Sequence, residues 1–258
     1  MIIIVSLIGQ KQNSIYNKKI AHIQMNSRIN NNIKHMHGFL LIDKPVDWTS
    51  HDVVGYLRKV LGIKKIGHAG TLDPFATGLL IVGIGRGATK QLDQFKNLHK
   101  TYEATLELGA TSDTQDSTGI ITPYDFDTTP DIHEVEQVLK TFLGKQQQIP
   151  PMHSAKKVNG KKLYKLARKG MEIEREAHDI EIFEIKLLNY DFPELRIHVE
   201  CSVGTYIRTL AYDIGLKLGT GAHCKELRRT GIGPYHIDNA LSPEEITHEN
   251  VEKNFFEY

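Results

Sequence analysis

The densest motif in the chain is Gly67-His68-Ala69-Gly70-Thr71-Leu72-Asp73-Pro74-Phe75-Ala76-Thr77-Gly78. Its glycines and proline predict a loop, because glycine allows close approach of backbone or ligand and proline fixes the backbone after Asp73. The loop carries one imidazole, His68, and one carboxylate, Asp73. Asp73 is therefore a candidate catalytic carboxylate on a rigid turn. The alternative is an Asx-type turn, in which Asp73 bonds only its own backbone.

Hydrophobic periodicity on either side of this loop predicts an α+β fold. Apolar runs and period-two alternation predict strands at 39–42, 79–82, 102–108 and 195–201. Helical spacing and capping residues predict helices from Thr49 or Ser50 to Gly62, from Asp131 to Gly144, from Tyr206 to Leu218, and at Ser242-Pro243-Glu244-Glu245. Strands and helices are mixed without a regular βαβ period, which disfavours a doubly wound sheet. One catalytic domain, residues 38–241, is the simplest division.

The composition is ordinary for a globular protein, with 258 residues, 40% hydrophobic and 24% charged, and a formal net charge of +1. Any RNA-binding surface must therefore come from local clustering of charge. Cys201 and Cys224 are too few for a disulfide framework or a thiolate zinc site, and no histidines have metal-ligand spacing, so no metal site is expected. Reduced thiols indicate a cytoplasmic protein.

Residues 1–37 contain no acidic residue and are expected to lie outside the fold, as a disordered extension or the result of a start codon assigned too early. The apolar run at 1–9 is far shorter than the about 20 residues that span a bilayer. Met25 and Met36 are the candidate true starts. Import into an organelle is the remaining alternative, although the segment is rich in Ile and Asn rather than Arg and Ser.

A basic run occupies residues 156–169. Seven cations and no acid lie there: Lys156, Lys157, Lys161, Lys162, Lys165, Arg168 and Lys169. Uncompensated positive charge beside Gly160 and Gly170, which can act as hinges, suits a mobile arm that grips a phosphate backbone. A solvated helix face is the alternative.

Arg208 is a candidate partner for a catalytic carboxylate. It follows Gly204-Thr205-Tyr206-Ile207, where a predicted strand turns into a helix. A guanidinium can hold a carboxylate ionised and oriented through a bidentate pair. Asp213 on the same predicted helix is an equally possible partner. Leu227-Arg228-Arg229 is interpreted as a further backbone contact or as exposed charge.

Together these segments resemble the TruB family of tRNA pseudouridine synthases, from about residue 38 to residue 241. The matching motifs are Leu41-Ile42-Asp43-Lys44-Pro45 with Thr49-Ser50-His51-Asp52, the 68–78 loop, Lys100-Thr101-Tyr102, Pro151-Met152-His153-Ser154-Ala155, Gly204-Thr205-Tyr206-Ile207-Arg208 and Leu227-Arg228-Arg229. The resemblance implies the pseudouridine synthase fold, a mixed, mostly antiparallel sheet flanked by helices. It also implies an inserted basic "thumb" at about residues 150–178.

The resemblance also implies the roles of individual residues. Asp73 would be the nucleophile, Tyr102 would stack on the target base as a candidate general acid or base, and Arg208 would pair with Asp73. The implied substrate-binding residues are His68, Tyr206, Leu227, Lys44 and the thumb lysines Lys156, Lys157, Lys161 and Lys162. The implied reaction is the isomerisation of uridine 55 in the T-loop of tRNA, without metal or other cofactor, by a cytoplasmic monomer that needs no membrane.

Two departures from the family pattern stand out. Asp47 lies where the family usually has glycine, and only a short helix or tail at 242–258 replaces the C-terminal RNA-binding domain common in the family. The rival interpretations are a non-catalytic tRNA-binding or tRNA-folding module and a related synthase that acts on another RNA.

Overall fold

A nine-stranded sheet forms the centre of the protein. The computed structural model describes residues 36–154, 156–158, 160–167 and 170–256, without the side chains at 157, 158, 161, 162, 164 and 165. The strands in this described part are β1 (Gly38–Lys44), β2 (Ile66–Ala69), β3 (Thr77–Ile84), β4 (Lys100–Leu108), β5 (Ala110–Ser112), β6 (Ile121–Pro123), β7 (Gly144–Gln148), β8 (Lys157–Val158), β9 (Lys161–Lys162), β10 (His178–Asp191), β11 (Glu194–Cys201), β12 (Ala222–Ile232) and β13 (Tyr235–His236).

The main path of the sheet runs β1-β3-β12-β4-β11-β10-β7, with β2 paired to β3 and β13 paired to β12. The β3–β12 pair is parallel, whereas the neighbouring pairs are antiparallel. Two-stranded sheets form separately from β5 with β6 and from β8 with β9. The predicted α+β class, with a mixed and mostly antiparallel sheet, is confirmed.

Five α-helices accompany the strands in the described residues: α1 (Ser50–Leu61), α2 (Gly85–Gln91), α3 (Ile132–Lys140), α4 (Leu163–Ala167) and α5 (Ile207–Lys217). The predicted N-terminal caps of α1 and α3 are present, but α3 ends at Lys140 and the predicted stop, Gly144, begins β7. Thr49 and Asp52 form a capping box on α1, and Gly62 ends that helix with a left-handed φ of 65°. Asp131 and Glu134 form the corresponding box on α3. The last predicted helix is a single 3₁₀ turn, Pro243–Glu245.

The core lies on both faces of the sheet. Helices α3 and α5 cover the inner strands β4, β10, β11 and β12, where Leu106, Leu195 and Ile197 are fully buried. Helix α1 covers β1 and β3 through Val53, Leu57 and other buried apolar side chains. These layers fix the loop 70–76, between β2 and β3, close to the start of α5.

Two further predicted boundaries were wrong. Residues 67–69 of the predicted loop belong to β2, which pairs with residues 81–84 of β3. Met36 was assigned to an extension outside the fold, yet it is only 8% exposed and packs in the core beside α1. The rest of the predicted extension, residues 1–35, lies outside the described residues.

The segment after β13 is integrated into the fold. Leu241 bridges to Ile42, and Phe256 bridges to Phe39 in β1. Ile246 and Val251 are buried in the core under α1. This segment therefore completes the packing around β1 instead of forming a separate unit.

Candidate active site

A cleft of about 360 Å³ opens where loop 70–76 meets the start of α5 and the strands β4 and β12. Its volume lies within the range of about 300–1,000 Å³ typical of small-molecule sites. Five of the predicted site residues line this cleft: Asp73, Tyr102, Tyr206, Arg208 and Leu227. Lys100, Ser154 and Arg229, which were not predicted as site residues, line it as well. Residues from distant parts of the sequence thus converge on one opening.

Asp73 faces into the cleft with 41% of its side chain exposed. Its Oδ2 atom lies 2.9 Å from Nε of Arg208, so the predicted ion pair is present and the side chain does not serve a purely local Asx turn. The loop beneath Asp73 is held from α1, because the backbone N–H of Leu72 donates to the buried hydroxyl of Ser50 at 3.0 Å. The carboxylate is therefore both accessible and fixed in position.

Arg208 is buried in the first turn of α5 and every side of its guanidinium is bonded. Besides Asp73, its Nη1 donates to Oδ2 of Asp116 at 3.1 Å and to the Thr114 carbonyl at 2.9 Å. Its Nη2 donates to the His153 carbonyl at 2.8 Å. The alternative partner, Asp213, is wrong, since Arg208 points away from its own helix into the cleft.

Asp116 is a member of the site that the sequence analysis missed. It is 4% exposed, and its Oδ1 accepts hydrogen bonds from the hydroxyl of Thr114 and from the backbone and hydroxyl of Thr118 at 2.5–2.9 Å. Arg208 thus lies between two carboxylates, one buried and one open to the cleft. No local signal in the polar turn around Asp116 separates it from an ordinary Asx turn.

Burial raises the pKa of Asp73 above its ordinary value. The Arg208 guanidinium opposes this effect, and the negative charge of Asp116 adds to it. Desolvation favours the neutral acid and a nearby cation favours the carboxylate. Asp73 is consequently less acidic than a surface aspartate, while Arg208 keeps its orientation fixed.

Tyr102 and Arg229 are neighbours across the β4–β12 ladder. Arg229 is 2% exposed, so its interpretation as exposed charge was wrong. Its Nε donates to the Leu79 carbonyl at 2.8 Å, and its Nη2 donates to the Gly70 carbonyl at 3.1 Å. Burial raises the pKa of Tyr102 and Arg229 partly opposes this rise. Period-two alternation with Leu227 was the signal that could have predicted an inward Arg229.

Tyr206 and Leu227 complete the lining of the active-site cleft. The backbone N–H of Tyr206 donates to the side-chain oxygen of the buried Gln148 at 2.8 Å, and the Tyr206 carbonyl accepts from the Gln148 amide at 3.1 Å. This clamp fixes the N-cap of α5, which carries Tyr206 to the edge of the cleft. Leu227 is 7% exposed and supplies apolar surface from β12. The cleft therefore offers an aromatic and an aliphatic surface near Asp73.

Lys44, predicted to bind substrate, is fully buried, so direct contact with a substrate is ruled out in this structure. Its ammonium donates to the carbonyls of Pro45, Trp48 and Pro74 at 2.8, 2.6 and 3.2 Å. Burial lowers the pKa of Lys44 to about 8. Lys44 therefore braces the Asp73 loop from behind. Asp47 in the adjacent turn has φ 64°, so it keeps the left-handed conformation that glycine favours.

His68 does not line the cleft with Asp73. It lies in β2, half-buried, in a neighbouring groove. Burial, together with the positive charges around it, lowers the pKa of His68 to about 4, so the ring is neutral near pH 7. Lys156 is half-buried at the base of the β8–β9 hairpin, outside the cleft. The side chains of Lys157, Lys161 and Lys162 lie outside the described part of the chain.

The described residues contain no group of three or more His, Cys, Asp or Glu side chains arranged to hold a metal ion. None of their helices combines the length and apolar character needed to cross a membrane.

Comparison with known proteins identifies the family. Residues 58–207 match the N-terminal domain of the TruB family pseudouridylate synthases, and residues 208–256 match the C-terminal domain of tRNA pseudouridylate synthase B. The tRNA pseudouridine synthase B of Geobacter sulfurreducens is 49% identical over 82% of this chain and 69% of its own length. That of Protochlamydia amoebophila is 44% identical over 95% of this chain and 93% of its own.

Solved structures support the same assignment. A Cbf5-Nop10-Gar1 complex matches with a TM-score of 0.64 and 30% identity over 83% of this chain. An H/ACA RNP bound to a substrate RNA matches with a TM-score of 0.61 and 28% identity over 81%. This chain spans about half of each matched chain, 54% and 51% respectively. The matches define a pseudouridylate synthase, and within that class the chain belongs to the TruB family.

Proposed function

We propose that this enzyme isomerises uridine 55 in the T-loop of tRNA to pseudouridine, with Asp73 as its catalytic carboxylate. The main support for this proposal is the position of the Asp73 side chain, which is open to the cleft and has its Oδ2 atom 2.9 Å from Nε of the buried Arg208. The relatives called tRNA pseudouridine synthase B are 44–51% identical to this chain, against 27–30% for the H/ACA structures. This difference favours tRNA over a guide-directed substrate.

The reaction breaks the N1–C1′ bond, turns the uracil within the cleft and forms a C5–C1′ bond. The proton on C5 leaves and N1 gains one, so nothing is added or removed overall and the chemistry calls for no cofactor. Asp73 can attack the base, attack C1′ of the ribose, or take the C2′ proton to give a glycal. In each route it must be ionised, and Arg208 holds it so.

The target uridine must leave its stack to reach Asp73. Extrusion of a nucleotide costs a few kcal/mol, and stacking on an aromatic ring returns about 1–3 kcal/mol. Tyr102 is the proposed stacking ring and candidate acid or base, because it lines the cleft and the positive charge of Arg229 lies close to its hydroxyl. Tyr206 and Leu227 would hold the other side of the base.

The enzyme is proposed to bind the T-arm as a monomer in the cytoplasm. The thumb, with Lys156, Lys157, Lys161 and Lys162, is proposed to contact the phosphate backbone. Both cysteines are buried and unpaired, as expected for a reducing compartment.

Tritium release tests the function directly. The purified protein is incubated with tRNA tritiated at uracil C5, beside Asp73→Asn and a matched control, Asp127→Asn, which changes an exposed aspartate. Release by the wild type and the control, but not by Asp73→Asn, is expected. A folded wild type that binds tRNA without releasing tritium would favour the non-catalytic module instead.

A further inference from the structure

A second groove, here called the basic groove, lies beside the active-site cleft between α1 and β2. Its charged and polar lining comprises His51, Arg58, Lys64, Lys65, His68 and Thr89. The groove has a volume of about 380 Å³ and no carboxylate among its lining residues. Of the proposed RNA contacts only His68 lies in it. Its other basic side chains therefore have no role in the site described above.

The positive charge of this groove is uncompensated. In the described part of the chain, no ion pair of 4 Å or less involves Arg58, Lys64 or Lys65. Asp52 is the acid adjacent to His51 in sequence, but its Oδ2 accepts from the backbone N–H of Thr49 at 2.8 Å in the helix cap. The groove is consequently a local concentration of cations on a nearly neutral protein.

The groove is built on rigid elements. Arg58 donates from Nη2 to the Ile66 carbonyl at 2.8 Å, which ties the end of α1 to β2. His51 and His68 pack edge to face with ring centroids 5.3 Å apart. Nδ1 of His68 is buried and has no hydrogen-bond partner. Gly67 lies against Leu92, since a Cβ at this position would be 3.1 Å from Cδ1 of Leu92.

The basic groove and the cleft are lined by consecutive parts of the chain, β2 and the loop that follows it. Gly67 and His68 line the groove, whereas Gly70 and Thr71 line the cleft that contains Asp73. Three residues of extended chain span at most about 10 Å, so one flexible polymer can occupy both openings at once. Phosphate contacts of this kind fix the register of a nucleic acid without reading its sequence.

We infer that the basic groove binds the phosphate backbone of the RNA directly beside the extruded uridine. The inference rests on the proposed function, because it takes the RNA to be the polymer whose uridine enters the cleft. Lys64 and Lys65 supply the positive charge, and Arg58 fixes the end of α1 against β2. The neutral His68 faces the RNA between the groove and the cleft. This contact lies at the β1 end of the sheet, apart from the thumb.

Salt-dependent binding tests the inference. Dissociation constants of wild type, Lys64→Gln, Lys65→Gln and the double variant are measured for a T-arm RNA between 0.05 and 0.5 M KCl. The matched control is Lys140→Gln/Lys145→Gln, which removes the same charge from exposed lysines near the opposite, β7 end of the sheet.

Each lost phosphate contact should reduce the slope of log affinity against log salt by about 0.7–0.9. When salt is lowered from 1 M to 0.1 M, the Kd of a variant that lacks one contact should therefore rise about 5- to 8-fold relative to the Kd of the wild type. The double variant should therefore lose about 1.4–1.8 in slope. Its kcat/KM for the isomerisation should fall in step with its affinity. The control should keep the wild-type slope.

Equal slopes for the double variant and the wild type would overturn the inference, as would an equal loss in the control. The proposed function has a separate outcome. If the wild type releases no tritium but its RNA binding still depends on Lys64 and Lys65, the function fails and the basic groove stands.

Discussion

Asp116→Asn should destabilise the protein, because Asp116 is the buried counter-charge of Arg208. The two side chains are 5% and 4% exposed, and their nearest charged atoms lie 3.1 Å apart. Asparagine has nearly the same shape but only one acceptor oxygen. If that oxygen keeps the bonds to Thr114 and Thr118, the amide N–H₂ faces Nη1 of Arg208, donor against donor.

The size of the effect follows from this geometry. Removal of one partner from a buried ion pair costs about 3–5 kcal/mol. Asp73 remains as a partner of Arg208, but its side chain is 41% exposed. Its negative charge therefore compensates the buried guanidinium less effectively than the buried Asp116 does. For a domain of this size the loss corresponds to a fall in Tm of roughly 6–20 °C. We therefore expect a clear shift of the urea midpoint without a change in the slope m.

The same substitution should also move the pH dependence of catalysis. Asp116 contributes to the raised pKa of Asp73, so its removal lowers that pKa. The acid limb of the single-turnover rate should shift to lower pH, since Asp73 stays ionised further into acid. Asp127→Asn serves as the control for both assays. An Asp116→Asn protein within about 1 kcal/mol of wild-type stability would refute the claim that a buried charge is left uncompensated.

Three further outcomes are expected. Gly78→Ala should destabilise the fold by several kcal/mol in urea titrations, because Gly78 has φ 103° and an added Cβ would lie 2.3 Å from the Arg229 carbonyl; a shift of less than about 1 kcal/mol would contradict this close approach. Arg229→Met should lower the single-turnover rate and raise the pKa of Tyr102, measured by ultraviolet titration, since the cation that stabilises the phenolate is lost; an unchanged titration would argue against the contact. In the wild type, the rate should decline on acidification at a higher pH than an ordinary aspartate would give, because burial raises the pKa of Asp73; a limb at or below the ordinary value would contradict that rise.

Local sequence signals were sufficient for the parts of the fold that depend on near neighbours. The capping boxes at Thr49 and Asp131 and the alternation in β4 involve residues within a few positions of each other, so their patterns are visible in the chain. The short strand β2 was missed because its pairing with β3 is a tertiary contact and its glycine content favours a loop interpretation.

Buried polar residues were harder to place from sequence. Arg208 and Asp116 are 92 residues apart, and Lys44 bonds a carbonyl 30 residues away. Lysine and arginine are usually exposed, so nothing in the sequence predicted the burial of Lys44 and Arg229. Burial of these cations depends on long-range packing that supplies carbonyl or carboxylate oxygens. Only the resemblance to a family singled out Arg208 as the partner of Asp73.

The arrangement of buried charge explains how a protein of net charge +1 can present a positive cleft. Arg208 is shared by the two carboxylates of the site, Asp73 and Asp116. Lys100 and Arg229 also line the cleft, and their described hydrogen-bond partners are backbone carbonyls. Carbonyl dipoles accept the hydrogen bonds of these two side chains but do not neutralise their positive charge. Their positive charge therefore persists at the floor of the cleft, where it can attract a phosphate-bearing substrate.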